Sequence, residues 1–289
     1  MRRLCASFRE RRLNEASRTD LMQIVALLEE RHGVGVRGDE LPLWLEERLK
    51  NAVAALATAR KLDMKSLLSA LEHEPELAVE LANALRVGET RFYRDAAQWE
   101  ALRRSIVPGL WSKRPGQARL MALSAGCSTG EEAWTLAMLL CEGAPRDSSS
   151  MSRVRVVGVD RSEAALATAR AGKYHAGSQE HLPREVGQRF LTPAVDGSLQ
   201  LSAAVQPLVT FQNRDLTQGV PPGRYALIVC KNVLIYFGDE AQDRLVQELL
   251  RALTDDGLLL VARSEVPIVR SLGAHAHEIA PNIVAFRAH

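Results

Sequence analysis

The sequence has few cysteines, no long apolar run and almost no net charge, and each of these features excludes a class of protein. Four cysteines without a CxxC pair among 289 residues are typical of reduced thiols in a cytoplasmic protein and not of a disulfide scaffold. No apolar run approaches the roughly 20 residues of a membrane span, so we expect no membrane insertion. A formal net charge of +2 predicts no bulk polyanion partner, and nucleic-acid binding is not expected. His275 and His277 lack a third ligand at metal-site spacing, so no metal is expected either.

One stretch, RLMALSAGCSTGEE at residues 119–132, has the pattern of a buried strand, a glycine turn and the start of a helix. Open α/β sheets use this arrangement to present backbone N–H groups to a ligand. Gly126 and Gly130 allow a sharp bend and a close approach of that ligand. The spacing is not the dinucleotide fingerprint, and the Walker lysine is absent. Because Glu131 and Glu132 would repel a phosphate but hold ribose hydroxyls or a cationic group, the stretch predicts a positively charged nucleoside.

A second acid follows the next strand. The segment VRVVGVD at residues 154–160 predicts a buried strand ending in Asp160, where α/β nucleoside sites bind the ribose hydroxyls. A simpler interpretation stays open for both motifs. The glycines would then be ordinary turn residues, Glu131 and Glu132 would complement the helix dipole, and Asp160 would cap its own helix.

The hydrophobic pattern also predicts the order of the segments. They are a basic arm at residues 1–18, a small helical domain at 19–85, a linker with a site loop and a connecting helix at 86–118, and an α/β domain at 119–289. The last domain alternates strands with helices and ends in an antiparallel pair around Pro281-Asn282, which predicts a Rossmann-like, mostly parallel sheet with an antiparallel C-terminal hairpin. Residues 175–207 break the alternation, and Asp196-Gly197 indicates a β-ribbon there.

The linker contains GETRFYRD at residues 88–95, a dense run of polar, aromatic and cationic side chains. A connector needs no such density, so a functional site and interdomain packing are equally good interpretations. Asp95 is expected to cap the helix that follows.

Four stretches together resemble the CheR family of chemotaxis receptor glutamate methyltransferases. They are GETRFYRD, SAGCSTGEEAW, VVGVDRSEAALATARAGKY and CKNVLIYF, and their order along the chain makes the likeness specific. The resemblance runs from about Thr19 to the C-terminus. It implies a class I S-adenosylmethionine-dependent methyltransferase fold with a small all-α N-terminal domain and a β-ribbon insertion. It also implies that glutamate side chains of chemoreceptors are esterified, with S-adenosylhomocysteine as the second product.

The resemblance implies site residues as well. Arg94 would orient a carboxylate, either the substrate's or the cofactor's own, and Tyr236 would place the attacking oxygen through its hydroxyl, which makes these two the expected catalytic residues. Asp160 would bind the ribose, and Asp215 with Leu216 would contact the adenine. The implied cofactor-binding residues are Gly88, Thr90, Arg94, Gly126, Glu131, Asp160, Asp215, Leu216, Lys231 and Asn232.

This chain departs from the family pattern at several of these positions. Gly88 lacks the amide of the usual asparagine, Asp215 replaces an asparagine but keeps an acceptor, and Lys231 replaces a bidentate arginine by a point charge. We expect these changes to alter affinity and to leave the activity intact. The reaction needs no general base or acid, because a glutamate is ionised at neutral pH and the leaving group is a neutral thioether. Phe92 and Tyr93 either face the sulfonium or belong to the core.

Two rival classes are distinguishable from this interpretation. A methyltransferase of another substrate would share the cofactor residues but lack GETRFYRD and the ribbon. A non-catalytic S-adenosylmethionine-binding sensor or scaffold would be expected to lose Arg94 or Tyr236, and both are present.

The ribbon also bears on how a receptor would be recognised. Pro193 and Pro207 restrict strand hydrogen bonding there, so we expect an enzyme that needs no C-terminal receptor tether. We also expect the enzyme to be a monomer. It would dock on the receptor methylation helices through basic side chains, with the N-terminal arm as an auxiliary. The candidates are Arg48, Lys50, Arg60, Lys61 and Lys65, and the alternative is a solvated helix face.

Overall fold

The computed structural model describes residues 16–32, 35, 41–85, 90–114, 118–145 and 150–287. Within these ranges the chain forms two compact units. The first comprises the described part of Met1–Val87 together with Ile235–Asp243, and the second the described part of Gly88–Leu234 together with Arg244–His289. Nearly all of the expected basic arm, and Gly88, lie outside the described residues.

The first unit is helical because leucines recur at helical spacing along each of its segments. Its helices are α1 (Arg18–His32), α2 (Leu43–Arg60), α3 (Met64–His73) and α4 (Pro75–Ala84). Leu21, Leu49 and Leu67, one from each of three helices, are fully buried in a common core. Asp63 is the N-cap of α3 and accepts a hydrogen bond from the Ser66 N–H at 2.8 Å, which satisfies one of the orphan donors of the first turn.

The second unit is built on a seven-stranded sheet with the order β6-β2-β1-β7-β8-β10-β9. The strands are β1 (Leu120–Ala125), β2 (Val154–Asp160), β6 (Val209–Asn213), β7 (Tyr225–Cys230), β8 (Leu253–Val261), β9 (His275–Ala280) and β10 (Ile283–Arg287). The first five strands in that order are parallel, and β10 pairs antiparallel with both β8 and β9. Every residue of β7 is buried, as expected of a strand covered on both faces. The predicted fold class is confirmed.

The register of β1 and β2 brings the two sequence motifs together. Ala125 pairs with Val159 at the ends of these parallel strands. The next residues, Gly126 directly after β1 and Asp160 as the last residue of β2, therefore lie side by side. Their meeting at the carboxyl edge is the usual position of a ligand site in an open α/β sheet.

Further helices precede the strands of the sheet or connect them along the chain. They are α5 (Ala96–Ala101), α6 (Val107–Ser112), α7 (Glu131–Glu142), α8 (Glu163–Ala171), α9 (Arg184–Phe190), α10 (Asp239–Arg251) and α11 (Val266–Ser271). A π-helical turn, Leu102–Ile106, joins α5 to α6. Arg103 on this turn binds both carboxylate oxygens of Glu142, at 2.7 and 2.6 Å, so the segment expected as part of a linker is packed into the second unit.

The insertion after α8 is a three-stranded antiparallel sheet with the order β3-β5-β4. Its strands are β3 (Lys173–His175), β4 (Leu191–Pro193) and β5 (Ser198–Leu201). Gly197, with φ of +78°, makes the turn between β4 and β5. The sequence suggested only the β4–β5 ribbon, because β3 is three residues long and directly follows Gly172, which ends the preceding helix in a left-handed conformation.

Candidate active site

Two glycines of the turn between β1 and α7 have a left-handed backbone conformation, which glycine adopts without strain. Gly126 has φ of +79° and Gly130 φ of +96°, both in the left-handed region. A Cβ atom on Gly126 would lie 2.4 Å from Cγ2 of Val233, so the turn passes very close to the loop after β7. The N–H groups of Gly126 and Cys127 both donate to the Val159 carbonyl oxygen, at 2.8 and 2.9 Å. These bonds tie the turn to the end of β2.

Asp160 bridges this turn and the start of α8. Its Oδ2 accepts a hydrogen bond from the Ser128 N–H at 3.0 Å, and its Oδ1 accepts one from the Ser162 N–H at 2.9 Å. The N-cap of α8 is Ser162, whose hydroxyl accepts from the Ala165 N–H at 3.3 Å. The alternative in which Asp160 caps this helix is therefore wrong. The carboxylate is buried beside the glycine turn instead.

Glu131 adds a second carboxylate at the same turn. It is buried, and the Thr129 hydroxyl donates to its Oε2 at 2.6 Å. Burial raises the pKa of this carboxyl above its ordinary value. With Asp160, the turn thus offers acceptors and negative charge to a ligand. That chemistry fits the ribose hydroxyls and the cationic end of S-adenosylmethionine, and it disfavours a phosphate.

The aromatic pair of the 90–95 loop belongs to the core. Phe92 packs edge-on against Tyr174, with 4.9 Å between ring centroids, and Tyr93 stacks on Trp99 at 6.2 Å. The Tyr93 hydroxyl donates to Glu100 at 3.0 Å, and both rings are buried. Of the two interpretations of these rings, the structure supports core packing.

Asp95 and Lys231 fasten this loop to the end of β7. Asp95 occupies the N-cap position of α5, as predicted, but it has φ of 62° and makes no side-chain capping bond, since a capping side chain normally acts from extended backbone. Its carboxylate lies 2.9 Å from the Lys231 ammonium, which also donates to the Arg94 carbonyl oxygen at 2.8 Å. The ammonium lies 5.2 Å from the Trp99 ring centroid. Lys231, expected to line the cofactor pocket, thus holds the loop that carries Arg94.

Arg94 and Glu132 belong to the same electrostatic cluster. Loss of hydration raises the pKa of Glu132 to about 7. The charges of Lys231 and Arg94 act in the opposite direction, as does a hydrogen bond of 2.9 Å from the Ser124 hydroxyl. The two adjacent glutamates therefore differ in surroundings, since Glu131 lies at the glycine turn and Glu132 faces the cations.

Glu265 is a site residue that the sequence analysis missed. It is fully buried, and its carboxylate accepts four backbone hydrogen bonds of 2.8 to 3.0 Å. The donors are the N–H groups of Asn232, Val233, Leu234 and Ala262. Burial raises the pKa of Glu265, and these bonds act to lower it. One carboxylate therefore shapes the whole loop after β7, and no local sequence pattern announces it.

Of the remaining predicted cofactor residues that the structure describes in the second unit, three follow strands and Thr90 begins the loop before α5. Asn232, after β7, has φ of 57°, a conformation that asparagine tolerates. Asp215, after β6, accepts hydrogen bonds at Oδ1 from the Thr217 N–H and hydroxyl, at 2.9 and 2.8 Å. Leu216 is buried, and Thr90 is half-buried at the start of its loop.

Tyr236 belongs to the first unit, whereas Arg94 belongs to the second. The Tyr236 ring packs edge-on against Trp44, with 6.0 Å between centroids. Its carbonyl oxygen accepts a hydrogen bond from the Gly35 N–H at 3.0 Å. Trp44 itself is 41% exposed, so the predicted catalytic tyrosine is supported by an aromatic residue that reaches the surface.

Two kinds of feature are missing from the described ranges. They contain no group of three or more His, Cys, Asp or Glu residues arranged to hold a metal ion. None of their helices combines the length and the apolar character needed to cross a bilayer.

Comparison with known families and proteins extends these observations. The model of the family described as CheR methyltransferase, SAM binding domain, matches residues 88–271. An uncharacterized 104.1 kDa protein of Rhodobacter capsulatus is 29% identical over 70% of this chain, and the match spans 21% of that much longer protein. A chemotaxis protein methyltransferase of Borreliella burgdorferi is 25% identical over 86% of this chain and 88% of its own length. One from Vibrio parahaemolyticus is 28% identical, over 82% of this chain and 86% of its own.

Solved structures also match, at low similarity. PKMT2 from Rickettsia typhi in complex with AdoHcy is 16% identical, with a TM-score of 0.34, over 57% of this chain and 25% of that one. A TehB-like SAM-dependent methyltransferase from Corynebacterium glutamicum is 13% identical, with a TM-score of 0.37, over 68% of this chain and 96% of that one.

Proposed function

Because the chain belongs to the CheR methyltransferase family, whose SAM-binding domain matches residues 88–271, we propose that it methylates glutamate side chains of chemoreceptors. The relatives named chemotaxis protein methyltransferase cover most of the chain and support this substrate. The observation that carries the proposal is the contact between two motifs distant in sequence. The Lys231 ammonium of CKNVLIYF binds both Asp95 and the Arg94 carbonyl oxygen of GETRFYRD.

S-adenosylmethionine supplies a methyl group made electrophilic by its sulfonium. Asp160 would hold the ribose, next to the glycine turn at Gly126, and Glu131 would supply negative charge there. Asp215 and Leu216 would contact the adenine from the end of β6. Thr90 would close the site from the loop before α5, and Asn232 and Lys231 would close it from the loop after β7. Gly88, which the family resemblance adds to this set, lies outside the described residues.

The protein's own contribution to the chemistry is positioning. A glutamate carboxylate with a pKa of about 4.3 is already ionised at neutral pH, so no residue has to remove a proton. Arg94 would orient a carboxylate through its guanidinium, and Tyr236 would direct the attacking oxygen through its hydroxyl. Holding two reactants in line supplies several kcal/mol of rate acceleration in favourable cases, and such a site needs few polar residues.

The test is transfer of a tritiated methyl group from S-adenosylmethionine to membranes that contain the receptors of the same cell. A base-labile product on the receptor band is expected, because glutamyl methyl esters hydrolyse in base. A base-stable label would show that the glutamate side chain is not the group methylated. The same conclusion would follow if the receptor carried no label while the protein still bound S-adenosylhomocysteine. Absence of S-adenosylhomocysteine binding would overturn the cofactor assignment as well.

We propose further that the enzyme acts as a cytoplasmic monomer that docks on the methylation helices through the basic residues of α2, of α3 and of the turn between them. Lys50 and Arg60 already have acidic partners, since Lys50 lies 2.6 Å from Glu46 and Arg60 lies 3.1 Å from Glu80. Lys61 and Lys65 are exposed, and we expect them to contribute more to docking than Lys50 and Arg60. The solvated helix face remains the competing interpretation of this surface.

Receptor truncation separates this docking from a tether. Methylation of full-length receptor is compared with that of receptor lacking its C-terminal tail, in low salt and in about 0.5 M salt, where the Debye length falls to a few ångströms. We expect little effect of the tail, and a loss with salt or with Lys61→Glu and Lys65→Glu. A large loss on tail removal, with no effect of salt or charge reversal, would assign targeting to the ribbon.

A further inference from the structure

Tyr174 joins the insertion sheet to the two loops that build the site. It is the middle residue of β3 and pairs with Leu199 of β5. Its hydroxyl donates to the Thr129 carbonyl oxygen at 2.7 Å, inside the glycine turn. Its ring packs against Phe92 of the 90–95 loop, with an interplanar angle of 79°. The backbone of Tyr174 thus belongs to the insertion sheet, and its side chain touches two segments that are far away in sequence, the glycine turn and the 90–95 loop.

The glycine turn is the part of the site that most needs such support. Ser128 and Gly130, on either side of Thr129, have φ of 49° and 96°. For a serine this conformation costs free energy unless the surroundings hold it. Asp160 holds the turn from β2 through the Ser128 N–H. Tyr174 holds it from the other side, through the next residue's carbonyl group.

The fit around the tyrosine hydroxyl is tight. A Cβ atom added to Gly130 would lie 3.0 Å from this oxygen. The side chain is 5% exposed, so its hydroxyl makes the bond to Thr129 away from bulk water. If the hydroxyl were removed, the Thr129 carbonyl oxygen would lose its hydrogen-bond donor. Because an unsatisfied buried carbonyl group is costly, we expect the turn to move to a conformation in which this oxygen finds another donor.

We infer that Tyr174 is a positioning residue that keeps the glycine turn in its cofactor-binding conformation, so that the insertion sheet takes part in binding S-adenosylmethionine. The inference rests on the proposed placement of the cofactor at this turn. It does not depend on the proposed glutamate substrate. The competing role is plain core packing, in which the ring matters and the hydroxyl does not.

Tyr174→Phe separates these roles, because it removes the hydroxyl and keeps the ring against Phe92. The chain offers a matched control in Tyr225, another buried tyrosine, whose hydroxyl donates to the Pro221 carbonyl oxygen at 3.2 Å. Calorimetric titration with S-adenosylhomocysteine is expected to show a dissociation constant roughly 3- to 10-fold higher for Tyr174→Phe, the factor that loss of one hydrogen bond gives. Tyr225→Phe is expected to stay within about twofold of the wild type.

Amide hydrogen exchange of the ligand-free protein supplies a second readout. Peptides covering residues 126–130 are expected to exchange faster in Tyr174→Phe and at the wild-type rate in Tyr225→Phe. Unchanged affinity in Tyr174→Phe overturns the inference, and so does weakened affinity with unchanged exchange. A wild-type protein that does not bind S-adenosylhomocysteine would overturn the proposed cofactor site and this inference with it. Retained binding without receptor methylation would overturn only the proposed substrate.

Discussion

Lys231 and Asp95 form an ion pair of 2.9 Å in which the lysine side chain is 2% exposed and the aspartate side chain is 46% exposed. The pair joins the loop before α5 to the loop after β7. Because a buried ammonium is costly without a counter-ion, the pair fixes the spacing of two loops that carry predicted site residues.

The first prediction concerns this ion pair. Asp95→Asn keeps the shape of the side chain and removes its charge. We expect a loss of about 1–2 kcal/mol in unfolding free energy, since partial exposure of Asp95 reduces the larger cost of a fully buried pair. Urea unfolding measures it. The matched control is Asp255→Asn, which breaks the ion pair between Asp255 and Arg224. Because the side chain of Asp255 is 101% exposed and that of Arg224 is 59% exposed, this variant is expected to lose less than about 0.5 kcal/mol of unfolding free energy. Equal losses in the two variants would contradict the prediction.

The second prediction assigns Arg94 and Tyr236 to the transfer step. Arg94→Ala and Tyr236→Phe are each expected to lower kcat on receptor substrate by about 10²–10³, as the loss of one preorganised electrostatic contact does. Thermal unfolding should change little. Arg91→Ala, in the same loop, is the control and should keep near-normal turnover. Near-normal turnover in both test variants would show that the mechanism is wrong.

The third prediction concerns the ribose. Asp160→Ala removes the acceptor proposed for two hydroxyls, and the affinity for S-adenosylhomocysteine is expected to fall by about 1.5–3 kcal/mol. Asp63→Ala is the control, because Asp63 also accepts a backbone N–H, at 2.8 Å, but in the first unit. It is expected to cost about 1 kcal/mol of stability and to leave calorimetric affinity unchanged. Unchanged affinity in Asp160→Ala would remove this residue from the site.

The fourth prediction uses two glycines with nearly the same backbone. Gly126 and Gly197 have φ of +79° and +78°, but a Cβ at Gly126 meets Val233 at 2.4 Å, and one at Gly197 meets nothing within 4 Å. Both alanine variants carry the cost of left-handed backbone, about 1–2 kcal/mol. Only Gly126→Ala should also weaken S-adenosylhomocysteine binding.

A second substitution tests the cause of that loss. Val233→Ala in the Gly126→Ala background removes the clashing methyl groups and should restore part of the affinity. If the double variant binds as weakly as Gly126→Ala, the close approach of these two loops is not what requires a glycine.

The sheet was predictable because its signals are local. Buried apolar runs, the glycine turn, and the Asp196-Gly197 and Pro281-Asn282 turns each depend on a few neighbouring residues. The pairing of Ala125 with Val159 then follows from the way parallel strands align, which is why the sequence could assign the glycine turn and Asp160 to one site.

The parts that escaped prediction depend on distant residues. Lys231 and Arg94 are 137 residues apart in the chain, and no periodicity reports their contact. Glu265 stabilises a loop more than thirty residues before it in the sequence. Whether Phe92 and Tyr93 faced a ligand or the core could not be decided locally either, because both uses favour the same aromatic residues.

The fifth prediction concerns pH. The pKa of Glu132 is raised from 4.5 to about 7 by loss of hydration and by the nearby Glu265 carboxylate, against the charges of Lys231 and Arg94. A carboxyl whose pKa is higher in the folded protein than in the unfolded chain favours folding while it is protonated. Its contribution is complete below about pH 4.5 and is lost as the pH rises through about 7.

Glu132→Gln keeps the shape and the acceptor for the Ser124 hydroxyl, which lies 2.9 Å away in the wild type, and it cannot ionise. The wild type should therefore lose stability relative to this variant between pH 5 and pH 8, by about 2.5 kcal/mol when 1.36 kcal/mol per pKa unit is used. Urea unfolding of both proteins across this range measures the difference, in which the other titrating groups cancel. Curves that stay parallel would mean that Glu132 is ionised in the folded protein throughout, with Lys231 and Arg94 outweighing its loss of hydration.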